Sequence, residues 1–105
     1  MLKIIRTGKY EKLEQDLLLE NSKLEVEVLE RIIWFKKNPD DTRLENHALT
    51  KKMEGRWAFS ITDDVRIVYE WLGKTTIRFL AIGGHKKVYK RKSQNMNAGT
   101  DIKKS

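Results

Sequence analysis

The chain has 105 residues, of which 39% are hydrophobic and 35% are charged. This length allows one domain with a single core and leaves no room for a second folding module. The chain has no cysteine, which excludes a disulfide scaffold and a thiolate metal site. No apolar run approaches the roughly 18 residues of a membrane span, and the first residues lack the long apolar stretch of a signal peptide. We therefore expect a soluble cytoplasmic protein without a membrane partner.

The formal net charge of +7 is unevenly distributed along the chain. Residues 1–40 carry 8 basic and 8 acidic side chains, whereas the remaining 65 residues carry 14 basic and 7 acidic ones. Seven basic residues and no acidic one lie between Lys74 and Lys92. A localised basic excess is typical of a surface that binds a polyanion, because each phosphate that it neutralises releases counterions. Nucleic acid is the favoured partner, while solubility and an acidic protein partner remain open.

The first 40 residues predict a short strand followed by two helices. Residues 2–6 favour β-structure, and the helical spacing of Tyr10, Leu13, Leu17 and Leu18 predicts a helix that ends near Asn21. Ser22 and Glu25 have the spacing of a capping box and predict the start of a second helix. The second helix ends at Asn38-Pro39, because proline cannot continue the hydrogen-bond ladder. Its predicted buried stripe, widened by Leu29 and Ile33, consists of Leu24, Val28, Ile32 and Phe35.

The pattern then changes to alternation. Residues 44–50 predict a short strand or extended segment, residues 57–71 a β-hairpin, and residues 75–82 a central strand. The predicted fold class is α+β, with an antiparallel sheet and an N-terminal helical hairpin packed on one face, in the order β-α-α-β-β-β. Residues 1–92 form the single predicted domain, and residues 93–105 are predicted to be a disordered tail.

The register of the hairpin decides where Arg66 lies. If Phe59 and Ile67 share the helix-covered face, then Ser60 and Arg66 share the opposite face. A two-residue turn at Asp63-Asp64 would instead place Arg66 beside Ile61 and Phe59. We favour the first register, because it separates apolar from polar side chains.

Few residues are available for acid-base chemistry near neutral pH. The chain has two histidines, His47 and His85, and both lie in its basic part. No close spacing of metal ligands is present, so we expect neither a metal nor a cofactor. Gly83-Gly84 lacks the context of a phosphate-binding loop and predicts a turn instead.

Histidine, arginine, lysine and tyrosine together suggest ribonuclease chemistry without a metal. One imidazole would take the proton of a ribose 2'-hydroxyl, which attacks the adjacent phosphorus, while Arg66 and a lysine stabilise the charge on the phosphate and a second acid protonates the departing 5'-oxygen. DNA lacks the 2'-hydroxyl and would not be cut. Tyr89 lies among cations, where it would either stack on a base or hold the C-terminal segment.

Two segments carry a resemblance to a known family. They are HALTKKMEGRWAFSITDDVRIVY, from His47 to Tyr69, and IGGHKKVY, from Ile82 to Tyr89. This set resembles the RelE/ParE superfamily of bacterial toxin-antitoxin toxins, and within it the RelE, YoeB and YafQ messenger-RNA interferases. The first glycine of the family pattern is replaced here within residues 50–52, which adds two charges.

The resemblance implies a role for each matching residue. His47 lies at the position of the general base, Arg66 at that of the arginine on the scissile phosphate, and His85 at that of the general acid. Asp64 matches an acidic residue of YafQ-like members, although it is equally compatible with a turn residue. Ser60 replaces a histidine of those members. The predicted RNA-binding residues are Lys51, Lys52, Arg56, Lys86, Lys87 and Tyr89.

The resemblance also implies partners and a biological setting. Such toxins cut messenger RNA on the ribosome, and an acidic cognate antitoxin wraps them. The expected function is therefore a ribosome-dependent endoribonuclease of a plasmid-stabilisation type of system. Two alternatives remain open, namely a ParE-like inhibitor of DNA gyrase without catalysis and a non-catalytic nucleic-acid-binding module.

Overall fold

The computed structural model describes residues 1–84. His85, Lys86, Lys87, Tyr89, the predicted domain end at residue 92 and the predicted tail at 93–105 lie outside the described residues. Two short 3-10 turns, Thr42–Leu44 and Lys51–Met53, precede and follow the second strand. Neither helix of the described part is long and apolar enough to cross a bilayer. The helices and strands are β1 (Lys3–Arg6), α1 (Gly8–Glu20), α2 (Leu24–Lys37), β2 (His47–Ala48), β3 (Trp57–Ser60), β4 (Val65–Trp71) and β5 (Thr76–Gly84).

The five strands form one sheet in the order β1-β5-β4-β3-β2. The α+β class and the N-terminal position of the helices are confirmed. Strands β2 to β5 pair antiparallel, but β1 runs parallel to β5, with Ile4 opposite Ile77. The expectation of a wholly antiparallel sheet is therefore wrong at one edge. The close reversals between β2 and β5 favour antiparallel pairing, whereas a long helical connection leaves the direction of β1 open.

The N-termini of the two helices differ in how they are capped. The Thr7 hydroxyl accepts a hydrogen bond from the Tyr10 N–H at 3.1 Å and donates to the Phe79 carbonyl at 3.0 Å, which joins the start of α1 to β5. The predicted capping box of α2 is absent, because Ser22 lies in the turn before Lys23 and no side chain caps the helix. A backbone hydrogen bond from the Glu25 N–H to the Ser22 carbonyl, 3.2 Å long, closes that turn instead.

The core is centred on Phe35 of α2. Its ring stacks on Phe59 with centroids 4.3 Å apart and meets Tyr69 edge-on at 4.9 Å. The four residues of the predicted stripe on α2 are all buried, as expected. Leu29 and Ile33, which we expected to widen this stripe, are 55% and 51% exposed. That expectation is wrong, because both residues lie on the side of α2 that faces away from the sheet.

The favoured register of the β3–β4 hairpin is confirmed. Phe59 lies opposite Ile67, and Ser60 lies opposite Arg66 on the other face. The register shifts between Val68 and Tyr69, so that Val68 faces Ala81 and Tyr69 faces Phe79. Leu80 is thus an extra residue in β5, and this bulge turns both Phe79 and Ile82 toward the core.

Replacing Phe35 with alanine tests the position of the core. Because the ring is 0% exposed and packs on three other aromatic rings, Phe35→Ala should lower the free energy of unfolding by about 3–5 kcal/mol. Ile33→Ala, on the exposed side of the same helix, should change it by no more than about 0.5 kcal/mol. Urea denaturation of both variants measures the difference, and equal effects would contradict this assignment of the core.

Candidate functional site

His47 and Arg66 lie on the face of the sheet that the helices do not cover, called here the helix-free face. His47 of β2 pairs with Ala58 of β3, and Ser60, two residues further along β3, pairs with Arg66 of β4. Because paired residues share a face and alternate residues of a strand do too, His47 and Arg66 are on one side. The spacing of strands and residues puts their Cα atoms about 12 Å apart.

The imidazole of His47 is oriented by the backbone. Its Nδ1 lies 2.9 Å from the carbonyl oxygen of Glu45. A carbonyl oxygen only accepts hydrogen bonds, so this contact places the ring proton on Nδ1 and leaves the lone pair of Nε2 available. The side chain is exposed, and Nε2 can therefore act as a proton acceptor toward a bound molecule.

Glu45 and Asn46, which precede His47, hold the segment that carries it. Glu45 adopts a left-handed backbone conformation with φ 51°, and its carboxylate accepts a hydrogen bond of 3.1 Å from the Ser60 hydroxyl. The Asn46 amide donates to the Pro39 carbonyl at 3.1 Å and accepts from the Tyr69 hydroxyl at 2.7 Å. Burial raises the pKa of the Tyr69 hydroxyl still further above neutral pH, where the group is a donor.

Sequence reasoning missed both of these supporting residues. Glu45 and Asn46 stand in a short irregular segment without periodicity, and their partners Ser60 and Tyr69 lie 15 and 23 residues further along the chain. The preference of asparagine for turns was the one local signal of this segment.

A second set of contacts fixes the segment between α2 and β2. The Arg43 guanidinium donates to both carboxylate oxygens of Asp41, at 3.0 and 2.7 Å, and stacks over the Trp34 ring, 3.6 Å from its centroid. These hydrogen bonds from Arg43 lower the pKa of Asp41 to about 2. The pair is therefore charged throughout the neutral range, and the buried Leu44 follows it directly.

Arg66 is held at the turn between β3 and β4. Its Nη1 donates to the Thr62 carbonyl at 2.7 Å. The Thr62 hydroxyl in turn accepts hydrogen bonds from the N–H groups of Asp64 and Val65, at 3.2 and 3.0 Å, and so shapes the turn. Arg66 is half-buried, and a guanidinium has five N–H donors. Within residues 1–84, one edge of the group is fixed and further donors remain for an anion.

Gly83 and Gly84 belong to β5, opposite Arg66 and Val65, so the predicted turn at these glycines is wrong. A Cβ atom on Gly84 would lie 3.1 Å from the Oδ2 atom of Asp64. The absence of a side chain at this position therefore allows the carboxylate to approach the strand. His85, the next residue after Gly84, lies outside the described residues.

Lys51, Lys52 and Arg56 are all exposed and lie in the connection between β2 and β3. This connection extends beyond the Ala48–Trp57 pair, whereas Arg66 pairs with Ser60 at the other end of β3. His47 thus lies between the basic connection and Arg66. Lys51 has φ 58°, a conformation that favours glycine, and it lies in the segment where the family pattern has one.

Within residues 1–84, no three His, Asp or Glu side chains are arranged to hold a metal ion.

Comparison of the sequence with protein-family models and with curated proteins finds no match. Comparison of the structure with solved structures finds similar folds in several toxins. A copper-bound mutant toxin from Helicobacter pylori is 28% identical, with a TM-score of 0.69 over 85% of this chain and 100% of that one. The YoeB/ParE toxin from Agrobacterium tumefaciens is 19% identical, with a TM-score of 0.66 over 80% and 99% of the two chains. YafQ, in the DinJ–YafQ toxin-antitoxin complex of E. coli, is 20% identical, with a TM-score of 0.64 over 84% and 97%.

These neighbours identify the class of the fold as that of toxin-antitoxin toxins. More narrowly, the chain has the fold of the RelE/YoeB/YafQ-like toxins, which confirms the resemblance seen in its motifs. Nearly the full length of each of the three neighbours is matched, so the likeness covers a whole toxin domain.

Replacing Tyr69 with phenylalanine tests the support of His47. The change leaves the Asn46 oxygen without its donor, which should cost about 1–2 kcal/mol of stability and release the segment that carries His47. Tyr10→Phe is the control, because the buried Tyr10 donates a comparable hydrogen bond of 2.9 Å to Glu14. Amide hydrogen exchange should accelerate at residues 45–48 in Tyr69→Phe alone. Equal exchange in the two variants would contradict this role.

Substituting glycine at Lys51 tests the left-handed conformation there. Lys51→Gly relieves backbone strain and should raise the free energy of unfolding by about 0.5–1 kcal/mol. Lys52→Gly removes the same charge from the neighbouring position, which has no positive φ, and should lower that free energy. Thermal or urea unfolding distinguishes the two, and a loss of stability in both variants would contradict the assignment.

Proposed function

We propose that the chain is the toxin of a toxin-antitoxin system and that it cleaves messenger RNA on the ribosome. The observation that carries this proposal is that His47 and Arg66, from separate strands, share the helix-free face. The likeness to toxins of the YafQ and YoeB kind supports it independently.

In the proposed mechanism, His47 is the general base. Its Nε2 takes the proton of a ribose 2'-hydroxyl, and the 2'-oxygen attacks the adjacent phosphorus. The Nδ1 hydrogen bond to the Glu45 carbonyl stabilises the imidazolium that results. The guanidinium of Arg66 donates to the phosphate oxygens, where negative charge grows in the transition state.

The second proton transfer completes the reaction. As the new bond between the 2'-oxygen and phosphorus forms, the bond from phosphorus to the 5'-oxygen breaks, and that oxygen takes a proton. We propose His85 as this acid, because residue 85 follows Gly84 directly and Gly84 pairs with Val65, beside Arg66. The products are a 2',3'-cyclic phosphate and a free 5'-hydroxyl, and the proposed chemistry needs no metal or other cofactor.

Asp64 has a supporting role in this proposal. Its carboxylate lies against Gly84, so it is close to the backbone that leads into His85. An acidic group in this place would favour the protonated form of a neighbouring imidazole. We assign Asp64 to the site as a positioning residue rather than as the base.

The basic residues of the connection between β2 and β3 are proposed to follow the RNA backbone. Lys51, Lys52 and Arg56 would bind phosphates on the far side of His47 from Arg66. The RNA would then cross the site from the connection between β2 and β3, past His47, to Arg66. Lys86, Lys87 and Tyr89 are proposed as further RNA contacts. Binding of this kind weakens with salt, because bound phosphates release their counterions.

The proposed protein partner is an acidic antitoxin that covers the helix-free face. One of the solved neighbours is itself in a complex with an antitoxin. Charge complementarity favours such a partner, since the excess of basic residues lies beyond residue 40. The proposed setting is the bacterial cytoplasm, where messenger RNA and ribosomes are available.

Mapping of transcript ends in cells that express the chain tests the activity. The wild type should produce new messenger-RNA ends with 5'-hydroxyl groups and arrest growth. His47→Ala, Arg66→Ala and His85→Ala should each reduce cleavage by about 10² to 10⁴-fold. Arg78→Ala is the matched control, because Arg78 is an arginine of the same sheet that is paired with Glu70, and it should cleave like the wild type.

Two outcomes would contradict the proposal. If both His47→Ala and Arg66→Ala cleave messenger RNA as well as the wild type does, the assigned mechanism is wrong. Intact transcripts together with poisoned gyrase in a supercoiling assay would indicate the non-catalytic, ParE-like alternative.

A further inference from the structure

The side of α2 that faces away from the sheet carries three large apolar side chains that nothing in the described chain covers. Val26, Leu29 and Ile33 are 73%, 55% and 51% exposed. Their spacing of three, four and seven residues puts them in one stripe along the helix. The four buried residues of α2 pack on the sheet from another side, so the helix is apolar on two sides and only one is covered. We call the exposed stripe the outer stripe.

Charged residues divide α2 into two halves of opposite sign. The first seven residues contain Glu25, Glu27 and Glu30, and the last seven contain Arg31, Lys36 and Lys37. The macrodipole stabilises this arrangement, since the N-terminal end of a helix is its positive end and attracts the acidic side chains. A surface with an apolar centre, an acidic end and a basic end is complementary to a second copy of itself turned end to end.

We propose that two copies of the chain associate through their outer stripes, with the two α2 helices antiparallel across a two-fold axis. In a two-fold contact the same patch is used by both copies. With the axis near Leu29, Val26 of one copy meets Ile33 of the other, and Glu25 lies beside Lys36 of the other. The acidic half of each helix then faces the basic half of its neighbour, whereas a parallel arrangement would oppose like charges.

Charge also argues against the other occupants of this stripe. RNA or an acidic antitoxin that lies along the helix would meet the three glutamates with like charge in one half, whereas a second copy meets opposite charge in both halves. The candidate site lies on the opposite side of the sheet from α2, so the proposed dimer leaves both copies of the helix-free face accessible. The proposal is therefore independent of the activity proposed above.

The size of the contact predicts a reversible dimer. A helix of 14 residues is about 21 Å long, and one pair of such helices buries less than the roughly 1,200 Å² of a standard interface. We expect a dissociation constant above about 1 µM. The fraction of dimer should therefore rise with protein concentration.

Sedimentation equilibrium of the purified full chain, from about 5 µM to about 500 µM, tests the proposal. The average mass should rise from 12.4 kDa toward twice that value. Leu29→Glu should raise the dissociation constant at least about tenfold, because it places a charge at the centre of the contact. Leu72→Glu is the matched control, since Leu72 is 47% exposed in the turn between β4 and β5, and it should leave association unchanged.

A charge exchange distinguishes a second copy from any other partner. Glu25→Lys and Lys36→Glu should each weaken association about threefold or more, and the double variant should restore it, because only two copies of one helix regain both opposite-charge pairs. Thermal unfolding of each variant verifies that the monomer is folded. The proposal is overturned if the wild type stays monomeric. This holds even if Leu29→Glu abolishes binding of an antitoxin, because the stripe would then bind the antitoxin and not a second copy. Association that ignores Leu29→Glu, or that the double variant does not restore, overturns it too.

Discussion

The hydrogen bond from the Tyr69 hydroxyl to Asn46 connects the core of the protein to its candidate site. The ring of Tyr69 is buried against Phe35, so the position of its hydroxyl is set by the packing of α2 on the sheet. The hydroxyl in turn holds Asn46 at 2.7 Å, and His47 is the next residue. The contact anchors β2, an edge strand of two residues, to the core in addition to its backbone pairing with β3 and the Ser60–Glu45 hydrogen bond. The orientation of His47 therefore depends on aromatic packing on the other side of the sheet.

Much of the fold could be predicted because its signals are local. Alternation over residues 57–71 was sufficient to set the register of the hairpin, since the alternative turn at Asp63-Asp64 would place Arg66 beside Phe59. The buried stripe of α2 followed from helical spacing in the same way. Periodicity shows which residues share a side of a helix, but it does not show whether another element covers that side. Leu29 and Ile33 were wrongly assigned to the core for this reason. The direction of β1 depends on a pairing with β5 more than 70 residues away in the chain, which no local pattern encodes.

The residues of the candidate site also differ in whether a local signal predicts them. Arg66 followed from the register, and His47 from the scarcity of groups that titrate near neutral pH. The residues that orient His47 could not be found in this way, because Glu45 and Asn46 act through Ser60 and Tyr69 of other strands. The left-handed Lys51 shows how a departure from a family pattern is accommodated, with a lysine in the backbone conformation that glycine would adopt at lower cost.

Most of the net charge of +7 lies beyond the described residues, since residues 1–84 carry 15 basic and 14 acidic side chains. The helices carry mixed charge and cover one face of the sheet, while the opposite face presents His47, Arg66 and the basic connection. The central claim is that this face binds one RNA phosphate between His47 and Arg66. NMR titration with a short RNA that carries a 2'-deoxyribose at the cleavage position tests it directly, because such an RNA binds without reacting. The imidazole signals of His47 and the guanidinium signals of Arg66 should shift together with one dissociation constant. Shifts confined to the helices, or a shift of only one of the two residues, would contradict the claim.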